Sequence, residues 1–152
     1  MHASIPPMVS SAPTRQLASA AEAFAAIALA AVACDGELAA LEARGLRQQL
    51  EYREPYCNFS DTAMAELLDR LLLILREQGC EGLVRQAAPL LEPHQRETAL
   101  AVAADLTRAD HIETSDEHRF LLELAHHLEI TPERSDQILE VIALLNCDSL
   151  AG

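Results

Sequence analysis

Leu121, Leu124, Ala125 and Leu128 stand at positions i, i+3, i+4 and i+7, and Ile138, Val141, Ile142 and Leu145 repeat that spacing. Met64, Leu67, Leu68, Leu71, Ile74 and Leu75 keep the same stripe. This is the period of a helix with one buried face, and no stretch alternates as a half-buried strand would. The expected fold class is therefore all-α. Punctuation divides the helices. An Ala-rich first helix, from about Leu17 to Cys34 and apolar nearly all round, should lie at the centre. Asp35-Gly36 ends it, and a second follows over about Ala39 to Tyr52. Ser60 is an N-cap for a third that ends at Gly79. A short fourth covers about Glu81 to Leu91, with Pro89 inside it or closing it. Pro93 opens a fifth that ends at Asp110, Thr114 a sixth, and Thr131-Pro132 a seventh. The expectation is a compact bundle of about seven helices with short connections. Residues 1–16, rich in Ser, Pro and Ala, read as a loose arm, and 17–152 as one domain.

Composition narrows the function. Aromatic residues are 3% of the chain and Trp is absent, so Leu, Ala, Ile and Val must make the core. The formal charge is −13, and all 11 bases are Arg, with no Lys. That balance argues against nucleic acid, whose affinity rests on cations at phosphates, and against a polybasic membrane binder. Cations, basic partners or plain solubility remain. The apolar run Ala23–Cys34 is twelve residues long, short of the roughly 20 that span a bilayer. Ala31-Val32-Ala33-Cys34 loosely resembles a lipoprotein cleavage box. Against export, no basic residue stands near Met1, and Glu22 precedes the run where a signal wants positive charge. The four cysteines, Cys34, Cys57, Cys80 and Cys147, form no C-x-x-C. A reduced, cytoplasmic chain is expected, since a Leu-rich core of this size needs no staples.

The chain also answers itself at an offset of 75. Positions 23–50 lie on 98–125 with six of 28 identical, including Asp35/Asp110, Glu42/Glu117 and Arg44/Arg119. Each copy is an apolar helix, an Asp at its end, a short turn, and a Glu seven residues later opening the next helix. This internal pseudo-repeat of helix–acidic turn–helix units places Asp35 and Asp110 at helix C-termini, where an acid is unfavourable by about 0.3 kcal/mol or more. Carboxylates brought together either raise one pKa or recruit a cation, for which oxygen-preferring Ca²⁺ or Mg²⁺ is the natural choice. The candidate metal ligands are Asp35, Glu42, Asp110 and Glu117, with Glu37, Glu113 and Asp116 secondary. Ordinary capping competes with this reading: Thr114 and Glu117 make a T-x-x-E capping box, and Asp110 can simply end a turn. Glu42 has no such partner, because Ala39 is a poor cap. The eight-residue span from Asp35 to Glu42 excludes an EF-hand, whose loop takes twelve. His111, His118, His126 and His127 lack H-x-x-x-H spacing and read as surface residues.

The string from Ala30 to Glu42, AAVACDGELAALE, answered by Leu106 to Glu117, LTRADHIETSDE, resembles the TerB-like family. That family comprises the tellurite-resistance TerB proteins and their relatives in the N-terminal domain of DjlA co-chaperones. It is similar in carrying A-D-G-x-[IVL]-x-x-x-E at helix–helix turns. The first copy here is complete, with Asp35, Gly36, Leu38 and Glu42. The second departs from it, with His111 in place of Gly and Ile112 one residue early. The resemblance covers about residues 20–146. It implies a cytoplasmic helical bundle of a tellurite-resistance or stress-response system, with a metal ion at Asp35, Glu42, Asp110 and Glu117.

The leading expectation is a non-enzymatic domain that binds or senses a divalent cation, Ca²⁺, Mg²⁺ or Mn²⁺. Tellurite itself, an oxyanion, suits so negative a surface poorly. The alternative is a metal-independent interaction module whose acids serve capping and solubility, and whose partner presents a basic surface. An exposed stripe on an Ala/Leu bundle would also allow a homodimer. An enzyme is not expected: G-x-S-x-G and H-E-x-x-H are absent, and carboxylate-based metallohydrolases cluster their acids mid-helix, not at helix ends.

Overall fold

The computed structural model describes residues 16–33, 40–107 and 115–150, and for 40–43 the backbone alone. They form six α-helices: α1 (Ala20–Val32), α2 (Ala40–Glu51), α3 (Asp61–Ala87), α4 (Pro93–Thr107), α5 (Ser115–His127) and α6 (Pro132–Leu145). Short 3₁₀ turns cover Tyr56–Asn58 and Ala88–Leu90, and there is no strand among the described residues. No described helix is long and apolar enough to cross a membrane. The proposed arm, up to residue 15, lies outside the described residues, as does Cys34. Cys57 and Cys147 carry free thiols.

The helices start where their caps dictate. The Ser19 hydroxyl accepts from the Glu22 amide at 3.1 Å, while the Glu22 carboxylate accepts from the Ala18 amide at 2.8 Å, so Ser and Glu together satisfy the entry to α1. Ser60 caps α3 through the Ala63 amide and Thr131 caps α6 through the Arg134 amide. Pro93 and Pro132 take first positions, where no N–H is needed.

Six helices stand where about seven were expected. The third and fourth expected helices are the two limbs of α3, which meet at a kink where the expected break falls: Gly79, with a φ of 75° and a ψ of 176°, leaves the helical region for one open only to glycine. The bend is sharp enough that a Cβ on Gly82 would lie 2.6 Å from the Gln78 Cβ. Its α-helical part stops at Ala87, and Pro89 falls in the 3₁₀ turn that follows.

α1 is the central helix. Ala25, Ala26, Ile27, Leu29, Ala30 and Val32 are buried around its whole circumference, and it packs chiefly against α3 and α4. Alanine on the remaining faces lets the neighbouring backbones come close, while burying Ile27, Leu29 and Val32 contributes about 1.5–3 kcal/mol each. The first turns of α1 and α4 line one cleft, through Ala20, Ala21 and Phe24 on one side and His94, Gln95 and Thr98 on the other. The two helices therefore run parallel. α2 returns to the start of α1, where the Arg53 guanidinium lies 5.6 Å from the Phe24 ring centre. α5 runs against α4: Arg96 near the start of α4 donates to the Leu128 carbonyl at 3.1 Å. That bond helps hold the end of α5, where Glu129 takes a left-handed φ of 59°.

α6 runs along α4, tied by Arg134 to Glu97 at one end and by Asn146 to Asp105 at the other. Its stripe is only half used. Ile138 and Ile142 pack on the core, whereas Val141 and Leu145 are exposed.

Candidate functional site

Parallel α1 and α4 send their C-termini to the same end of the bundle. The two acidic segments, 34–39 and 108–114, leave from that end. Asp35, Glu37, Asp110 and Glu113 lie outside the described residues, as do His111 and the Thr114 half of the capping box, and so does the Glu42 side chain. Glu117 and Asp116 are described, in the first turn of α5. Their environments differ. Glu117 is buried, at 9% exposure, and Asp116 is exposed with Arg119 at 3.7 Å. Among the described residues, no three His, Cys, Asp or Glu side chains gather as a metal ion would require.

A cleft of about 440 Å³ opens beside this end, between α5 and the part of α3 that follows Gly79. Asp116, Arg119, Glu123 and His127 line it from α5, and Cys80 and Glu81 from α3. The Cys80 thiol faces the Ala33 and Ala30 carbonyls at 3.6 and 3.8 Å. It thus sits against carbonyls at the end of α1. Through Cys80 the end of α1 and the start of α5 border one surface. Glu81 pairs with Arg85 at 2.9 Å and faces the His127 ring at 3.9 Å. The α4 end meets the α2 side in the same way: a Cβ on Gly45 would touch Leu106 at 3.6 Å.

Two groupings were not anticipated from the sequence. Asp105 accepts from Gln49 of α2 at 2.5 Å and from Asn146 at 2.8 Å, joining α2, α4 and α6 through one carboxylate. At the opposite end of α1, Phe24, Tyr52 and Tyr56 meet Leu91 and His94 in a second cleft, also of about 440 Å³. Three of the five aromatic residues therefore share one site. The Tyr56 hydroxyl donates to the Ala21 carbonyl, and burial pushes its pKa well above the usual tyrosine value. Arg53 lies over the Phe24 and Tyr52 rings at 5.6 and 4.9 Å. Concentration of the few aromatics between residues 52 and 59 was the only available hint.

Compared with known proteins, the chain matches no family model, no curated protein and no solved structure.

Proposed function

We propose that this chain is a TerB-like, non-enzymatic domain of a cytoplasmic stress or tellurite-resistance system, and that it holds a divalent cation between its two acidic segments. The observation that carries the reading is the parallel course of α1 and α4, which directs both segments to one end of the bundle. Glu117, the one member of the proposed donor set whose side chain is described, is buried at 9% exposure in the first turn of α5. Asp35, Glu42 and Asp110 would complete an all-oxygen site of the kind Ca²⁺, Mg²⁺ or Mn²⁺ prefers. The pseudo-repeat supports the same reading. Shifted by 75, α1 (20–32) and α2 (40–51) fall on 95–107 and 115–126, inside α4 and α5.

The test is calorimetric titration of Ca²⁺, Mg²⁺ and Mn²⁺ chlorides into the wild type, into Asp35→Asn/Glu42→Gln and into Asp110→Asn/Glu117→Gln. Binding by the wild type that either double variant weakens at least tenfold supports the site. Equal titrations for all three proteins refute it. A second reading, the metal-independent interaction module, is favoured by the exposed aliphatic side chains of α6.

A further inference from the structure

We propose that the outer face of α6 is the docking surface for a basic amphipathic helix of a partner protein. This inference stands apart from the cation reading. Val141, Leu144 and Leu145 are 61%, 73% and 71% exposed, although α6 is a regular, capped helix. At helical spacing they form one ridge, since 144 and 145 lie three and four positions from 141. Alongside it, on the next row of the helix, stand Glu133, Asp136 and Glu140, all exposed. Among the described residues none of these three carboxylates has an ion-pair partner. The nearest base in sequence, Arg134, is already engaged by Glu97 at 3.1 Å and by Gln137 at 3.1 Å. An apolar ridge edged by uncompensated acid is the complement of a helix with an apolar face and a row of Lys or Arg.

The dimensions suit that occupant. From Glu133 to Leu145 the ridge and its acidic edge extend about 20 Å, or between three and four helical turns. Between α4 and α6 a shallow hollow of about 270 Å³, bordered by Ala101, Ile138, Val141 and Ile142, offers a seat for one apolar anchor. Charge separates this partner from a second copy. Two α6 faces brought together would set acidic rows against each other in chains that each carry −13.

The probe is a dye-labelled, 18-residue synthetic helix with Leu at i, i+3, i+4 and i+7 and Lys on its remaining faces, followed by fluorescence anisotropy with the full chain. Binding is expected to fall at least tenfold in Leu144→Ser/Leu145→Ser and in Glu133→Gln/Glu140→Gln. It should remain within twofold in Glu66→Gln/Asp69→Asn, which removes the same charge from the exposed side of α3. All these positions are exposed, so circular dichroism should show an unchanged fold. EDTA should leave the affinity unaltered, which keeps failure here distinct from failure of the cation site. Absence of binding, or an equal loss in the α3 variant, overturns the proposal. So does a wild-type dimer in sedimentation that Leu144→Ser/Leu145→Ser dissolves, because the face would then belong to a second copy.

Discussion

Replacing Gly82 with alanine should destabilise this chain, although the same exchange inside an ordinary helix stabilises it by about 1 kcal/mol. The reversal follows from the bend at Gly79. A Cβ on Gly82 would stand 2.6 Å from the Gln78 Cβ, whereas carbon atoms rest about 3.5–4.0 Å apart. A Cβ cannot swing away as the tip of a side chain can, so relief requires the backbone of the bend to move by about 1 Å. Overpacking of this kind costs about 1–3 kcal/mol, which cancels or exceeds the propensity gain. Gly45 in α2 supplies the control. Its added Cβ would meet only Leu106 Cδ2, at an ordinary 3.6 Å, so Gly45→Ala should gain the full 1 kcal/mol or so. For a chain of this length 1 kcal/mol moves Tm by about 2–4 °C. The two variants should therefore melt about 2–12 °C apart, with Gly45→Ala the higher, as followed by far-UV circular dichroism. Gln78→Gly should rescue Gly82→Ala by removing the opposing Cβ, whereas Gln78→Ala should not. Equal rises in Tm for Gly82→Ala and Gly45→Ala would refute the bend.

Two further perturbations address the ties between helices. Asp105→Ala removes the carboxylate that accepts from the Gln49 and Asn146 amides; it should cost about 2 kcal/mol in urea unfolding and quicken hydrogen exchange in α6 ahead of α1. Tyr56→Phe removes the hydroxyl that donates to the Ala21 carbonyl and should cost about 1 kcal/mol at neutral pH. Because burial raises the folded-state pKa of Tyr56, its contribution is complete below the unfolded value of 10.0 and is lost as pH rises beyond it. Urea midpoints measured from pH 8 to 11 should therefore fall more steeply in the wild type than in Tyr56→Phe.

The all-α class was legible in the sequence because apolar spacing, Ser60, Pro93 and Thr131-Pro132 act within one turn of chain. Burial of α1 was legible for the same reason: Ala23 to Val32 offers no polar face to turn to water. The bend at Gly79 was half legible. Glycine marked the break, but the angle at which the two limbs of α3 meet depends on the backbone dihedrals there and on the room that Gly82 leaves for Gln78. The acids of the candidate site were visible as a repeated pattern, since Asp35 to Glu42 and Asp110 to Glu117 share one spacing.

Spacing along one helix carries no record of which neighbour covers it. The sequence by itself determined the helices, the buried character of α1 and the acid-rich segments, all of which are local or compositional properties. Tertiary structure alone decided that α1 and α4 run parallel, so that both acidic segments leave from one end. It alone assembled Asp105 with Gln49 and Asn146, and Phe24 with Tyr52 and Tyr56, from residues far apart in the chain. It also decided that Val141 and Leu145 face solvent while Ile138 and Ile142, in the same stripe, face the core. A helix at the edge of a bundle is covered from one side only, and α4, with a smaller contact from α5, covers only part of an apolar arc as broad as that of α6.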